Sequence, residues 1–141
     1  MSAILVHEQS PYVLEFVITA LPKMTNRRCS SHWRYKKMEA DMWKVLVVGL
    51  VAARKPKVPL KQARLTLTRM SSVTPDPDGL VSGFKHVLDS LILAGIIEND
   101  RFTNIGMPNY QWAHAKPRAG GIQVRVEEVV EQRNNSGEAQ N

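Results

Sequence analysis

TPDPDGLVSGFKHVLDSLILAGIIEND, residues 74–100, is a turn-rich loop running into a helix, and the reading of the rest of the chain is arranged around it. Pro75 and Pro77 stiffen the loop and push the residues before them away from helix. Beyond it, Leu80, Phe84, Val87, Leu88, Leu91 and Ile92 recur at helical spacing, and Gly95 falls where a helix C-terminus wants a left-handed residue. The pattern predicts a helix of about 16 residues, roughly 24 Å long. If it begins at Asp78, then Lys85 and Asp89 share a face with that aspartate, at about −20° and +20°. A later start capped by Ser82 is the alternative.

Outward from this unit, residues 12–20 (YVLEFVITA) are β-branched and aromatic and predict a strand. Residues 21–33 form a basic loop broken by Pro22. Residues 34–54 predict a helix, with Met38, Met42, Leu46 and Leu50 four apart along one face, stopped by KPKVP at 55–59. Ala63, Leu65 and Leu67 alternate with polar neighbours as a half-buried strand does. Residues 110–116 and 122–130 flank PRAGG at 117–121 and predict a hairpin, with Val124, Val126 and, less strictly, Val129 on its apolar side. Residues 131–141 are polar and predict a disordered tail. The expectation is an α+β fold in one domain over residues 1–130, a mixed β-sheet packed with two main helices.

Composition narrows the functional classes. At 141 residues and 43% hydrophobic, the chain suits a single soluble domain. Its longest apolar run, residues 45–53, is too short to cross a bilayer, and residues 1–9 carry no secretion signal. The single cysteine, Cys29, excludes an internal disulfide and a multi-cysteine zinc site. A cytoplasmic protein of a bacterial cell or phage-infected host is expected. Thirteen of the nineteen Lys and Arg residues lie between Lys23 and Arg69 against two acids, a local net charge of +11. A basic half beside a later acidic cluster suits a phosphate-binding enzyme with metal-binding carboxylates; a solvated basic face is the plainer alternative.

Asp76 and Asp78 stand two apart immediately before a helix, where both carboxylates can address one hard cation. The structural alternative makes Asp78 an N-cap and Asp76 a turn former. Asp100 lies beyond the helix and rejoins the pair only if the chain doubles back or a second subunit supplies the approach. Lys85, leaning toward the helix N-terminus, is placed to hold a phosphate, or simply to pair with Asp89 at i+4.

Taken together, Asp76-Pro-Asp78-Gly-Leu80, Lys85, Asp89, Leu91, Ala94-Gly95 and Asp100 resemble the acidic motif of the RusA family of Holliday-junction resolvases. The N-terminal half is similar too: a strand ending in Leu21-Pro22, then Asn26-Arg27, then a basic stretch with Trp33 and Arg34. The resemblance implies a homodimer that binds four-way DNA junctions and cuts them with Mg²⁺, or Mn²⁺, held by Asp76, Asp78 and Asp100. It also implies Lys85 as the catalytic lysine and Asn26 as a residue of the DNA-facing loop. Three positions depart from the family pattern: Gly79 replaces an Asn, Asn99 replaces an acid, and Lys85 comes three residues later than usual.

For DNA, Asn26, Arg27, Arg28, His32, Arg34, Lys36 and Lys37 are the candidate phosphate contacts, and Trp33 can stack on an unpaired base or pack on the helix it precedes. A non-catalytic DNA-binding relative of the same fold is the competing reading. A PD-(D/E)xK nuclease is disfavoured, because no Asp-x-Lys or Glu-x-Lys follows the aspartate loop.

Overall fold

A computed structural model describes residues 11–23 and 33–130. In it, four strands, β1 (Val13–Ile18), β2 (Ala63–Ser71), β3 (Asn109–His114) and β4 (Gly121–Glu128), form one mixed sheet in the order β1-β4-β2-β3. Helices α1 (Trp33–Val51), α2 (Pro77–Gly83), α3 (Lys85–Leu93) and the short α4 (Phe102–Ile105) complete the α+β fold. No helix among the described residues is long and apolar enough to cross a membrane.

The sheet is sided because its strands alternate. Inward residues line up across the strands: Leu14–Val126–Leu65, then Phe16–Val124–Leu67, then Ile18–Ile122–Arg69. All but Arg69 are apolar and buried with Trp43, Val47 and Val51 of α1 and Val87, Leu88 and Leu91 of α3 in one cluster, and Arg69 is buried at its edge. The opposite face is mostly polar, broken by the exposed Val13 and Val17, and there Arg125 pairs with Glu15 at 3.3 Å and with Glu127 at 3.1 Å. Each such exposed pair is worth little, about 0–1 kcal/mol. The fold rests on the apolar rows.

The expected hairpin between the last two strands does not form. β4 lies between β1 and β2, antiparallel to both, while β3 pairs in parallel with β2 on its far side. The reason lies in composition: Ile122, Val124 and Val126 are fully buried on the inward face, whereas β3 is largely exposed and takes the edge. The PRAGG segment therefore reverses the chain while carrying it across the end of β2, so the two strands it joins are not neighbours. A Cβ on Gly120 would stand 2.7 Å from the Met70 carbonyl oxygen, and one on Gly121 2.5 Å from that of Ile18. Only glycine lets the backbone through at that separation.

Two helical expectations also change. The face of α1 that packs is Trp43, Val47 and Val51, whereas Met38, Met42, Leu46 and Leu50 are exposed. The helix carries two apolar stripes, and only one can face the sheet. The predicted 16-residue helix is broken into α2 and α3 at Phe84, which sits at φ −93° and ψ 3° with its side chain fully buried. Gly83 before it weakens the helix at that point.

Candidate active site

β2 delivers the chain to the Pro-rich loop, and α2 starts there with Asp76 as its N-cap. The Asp76 Oδ1 accepts a 2.9 Å hydrogen bond from the Gly79 N–H, and Pro77 occupies a first-turn position where its missing N–H costs nothing. The cap is thus Asp76 rather than Asp78. Asp78 is exposed in the first turn and makes no ion pair among the described residues.

Lys85 opens α3 and is held by two carboxylates. Its Nζ lies 3.1 Å from Asp89 Oδ1, one turn on, and 3.2 Å from Asp100 Oδ2, fifteen residues on. Asp89 and then Asp100 raise the lysine's pKa, and burial opposes them. The side chain is therefore a cation throughout the neutral range.

Asp100 reaches Lys85 because the chain does double back. After α3, Gly95 takes φ +82°. The Gly95 N–H bonds Ile92 O and the Ile96 N–H bonds Leu91 O, the paired bonds that close a helix on a left-handed glycine. Leu60 then takes the returning strand, donating to Ile96 O and accepting from the Glu98 N–H at 2.9 Å each. With Ile96 and Ile97 buried against the core, residues 96–100 run back along α3. The Asp100 N–H is fixed by Asn99 Oδ1 at 2.7 Å. Asn99, one of the departures noted in the sequence, thus spends its side-chain oxygen on the next residue's N–H.

Tyr110 joins this group, and the sequence reading missed it. Its ring packs on Phe84 with centroids 6.0 Å apart. Burial pushes the phenol's pKa up, the Asp100 charge raises it further, and Lys85 pulls the other way. The signal was available in the alternation of β3, which places Tyr110 on the inward face opposite Leu67.

The three aspartates do not gather into one ligand set. Among the described residues no group of three or more His, Cys, Asp or Glu side chains stands close enough to hold a metal ion. Asp78 lies in the first turn of α2, whereas Lys85 opens α3 beyond the break at Phe84, and Asp100 stands beside Lys85. The donors nevertheless suit a hard cation. Asp76 keeps Oδ2, Asp78 keeps both oxygens, and Mg²⁺ commonly takes one or two carboxylates with substrate phosphate and water.

Of the DNA-contact candidates, Asn26, Arg27, Arg28 and His32 lie outside the described residues. Trp33, Arg34, Lys36 and Lys37 form the first turns of α1, all exposed. The Arg34 guanidinium carbon lies 5.9 Å from the centre of the Trp33 ring, and Lys37 pairs with Asp41 at 3.2 Å.

A second unforeseen residue is Arg69. It continues the inward alternation of Ala63, Leu65 and Leu67 one step beyond where the predicted strand ended. Its Nη1 donates to Pro22 O at 2.7 Å, its Nε is buried without a partner, and burial lowers its pKa.

No protein-family model matches this chain, and no curated protein matches it either.

Proposed function

We propose that the protein is a Mg²⁺-dependent, structure-selective endonuclease of the RusA type that resolves four-way or other branched DNA by paired phosphodiester cuts. The observation that carries the reading is the Lys85–Asp100 contact at 3.2 Å, which joins the two halves of the acidic motif. That contact gives the order Asp-x-Asp, Lys, Asp a spatial meaning: a cation and an acid stand together downstream of an exposed aspartate turn.

Asp76 and Asp78 are the residues that would hold the ion, and Asp100 would join them by exchanging its lysine. A bound Mg²⁺ supplies Lewis-acid polarisation of the phosphate and activation of water. The chain's own residues do the rest. Lys85, a cation throughout the neutral range, is suited to a phosphate oxygen that gains negative charge. Trp33, Arg34, Lys36 and Lys37 of α1 offer stacking and phosphate contacts, with Mn²⁺ as the alternative ion at the acidic turn.

Paired cuts need two sites in fixed relation, and the chain holds one Asp-x-Asp motif. A homodimer with a two-fold axis supplies the second. The reading is tested with a synthetic four-way junction in Mg²⁺: the wild type cuts, and Asp78→Asn binds without cutting. Binding by the wild type with no cleavage in Mg²⁺ or Mn²⁺ would select the alternative, a non-catalytic DNA-binding relative. An amide at Asn99 in place of an acid, its oxygen spent on the Asp100 N–H, is the feature that favours that second reading.

A further inference from the structure

The outward stripe of α1 is largely apolar. Counting 100° per residue, Val45, Met38, Gly49, Met42, Leu46 and Leu50 fall in that order within about 140° of the helix circumference. The one charged residue in that arc, Glu39, is engaged within its own chain, its carboxylate accepting from the Trp43 Nε1–H and the Lys23 N–H. The five side chains are between 37% exposed (Leu46) and 73% exposed (Val45). The buried stripe of Trp43, Val47 and Val51 lies largely on the other side. A helix apolar on two sides is normally covered on both.

Gly49 makes the point independently. It stands in the middle of the stripe, and a Cβ built on it would meet nothing within 4 Å. An alanine there would fit the single chain and favour the helix. A missing side chain at the centre of an exposed apolar face lets another backbone approach closely.

We infer that this face of α1 is the interface between two copies of the chain, with α1 packed on its two-fold-related counterpart. The inference takes up the dimer of the proposed function but rests on α1 alone. The exposed side chains of the stripe amount to on the order of 500 Å² per copy, within the range of the largest patch on a typical monomer. Self-association buries about 1,000 Å² in total, the threshold for a specific interface. A second copy satisfies the stripe's chemistry because a largely apolar face meets an equally apolar one, with Glu39 already held by Trp43 and Lys23 of its own chain. Flanking charges on either side, Lys37 paired with Asp41 and the exposed Lys36, form a polar rim. Since that area is reached only if the whole stripe is covered, the interface is of the weak class, for which dissociation is sought in the micromolar range.

The test is sedimentation of the full chain across about 1–100 µM, spanning that range. Wild type should be a dimer at the upper end. Met42→Lys and Leu46→Lys should each weaken association at least tenfold, and Gly49→Leu should do the same by blocking close approach. All three should keep the wild-type helical circular dichroism, since none of these positions is buried in the single chain. Val17→Lys, exposed on β1, should leave the dimer unchanged. A wild type monomeric at 100 µM overturns the interface, whether the stripe is covered by the chain's own ends or by another protein. So does a dimer indifferent to all three substitutions. Junction cleavage is scored separately. A dimer that responds to the substitutions but never cuts keeps the interface and removes the nuclease reading. Cleavage by a dimer that ignores them does the reverse.

Discussion

Lys85 and Asp100, fifteen residues apart, meet at 3.2 Å because a left-handed glycine ends α3 and a bridge to Leu60 guides the chain back. The pair is partly exposed, so its loss should cost the fold no more than about 1 kcal/mol. Lys85→Ala should therefore leave the urea midpoint nearly unchanged while lowering junction cleavage by about 100-fold or more, in the range of a lost transition-state contact. Lys85→Arg should recover part of the rate. A cleavage rate unchanged in Lys85→Ala would remove the lysine from the chemistry.

Asp76 has two separable duties. As N-cap of α2 it contributes about 1 kcal/mol through its bond to the Gly79 N–H. Asp76→Ala should lose both that stability and cleavage. Asp76→Ser, which keeps a capping oxygen and removes the charge, should restore the melting temperature without restoring activity. Recovery of cleavage by Asp76→Ser would show that the position acts through the helix alone.

The alkaline limit of stability has a definite sign. Tyr12, Tyr110 and Lys85 all bind their protons more tightly in the fold than in the free chain, the tyrosines chiefly through burial and the lysine chiefly through Asp89. A raised folded pKa gives stability that is complete below the unfolded value and lost as pH rises through the folded one. The melting temperature should therefore fall from about pH 10 upward, near the ordinary tyrosine and lysine values. Tyr12→Phe with Tyr110→Phe should flatten the fall. Thermal scans between pH 8 and pH 11.5 measure it.

Junction binding should weaken steeply with salt, and the basic residues of α1 should contribute unequally. Lys37 is already paired with Asp41, whereas Lys36 has no carboxylate partner among the described residues. Lys36→Gln should lower the salt slope by about 1, and Lys37→Gln by less. Equal slopes for wild type and Lys36→Gln would make that lysine a solubility residue.

Gly121→Ala should destabilise the sheet by about 2–3 kcal/mol, since its methyl would meet backbone that cannot move aside. Gly49→Ala, in open space, should not. Parallel urea titrations compare the two.

Local patterns carried much of this molecule. β-Branched and aromatic content located β1, period-two alternation located β2, the valines after PRAGG located β4, and Gly95 marked the end of α3 because few other residues take φ +82°. What failed was choice among equivalents. Two apolar stripes on α1 both had helical spacing, and only tertiary packing selects Trp43, Val47 and Val51 for the core. PRAGG read as a hairpin turn because adjacent strands usually pair, yet the glycines serve a close crossing over Met70 and Ile18. Strand order is a long-range property, and no local signal encodes it. The same holds for the site. The order of Asp76, Asp78, Lys85 and Asp100 was legible, but the break at Phe84 that puts Asp78 and Lys85 on different helices, and the arrival of Asp100 and Tyr110 beside them, depend on tertiary packing.

The strand that completes the sheet is the last one made. β4 fills the gap between β1 and β2, pairing Val13 with Glu127 and Ala63 with Glu128 across most of the chain. During synthesis the first two strands emerge as neighbours in sequence that have no hydrogen-bonded contact with each other, and their apolar rows wait for residues 121–128. Such distant pairing slows folding, because chain entropy is lost before the contact forms. A nascent chain halted before β4 would expose Leu14, Phe16, Leu65 and Leu67 along two open strand edges, a surface prone to aggregate or to recruit chaperones.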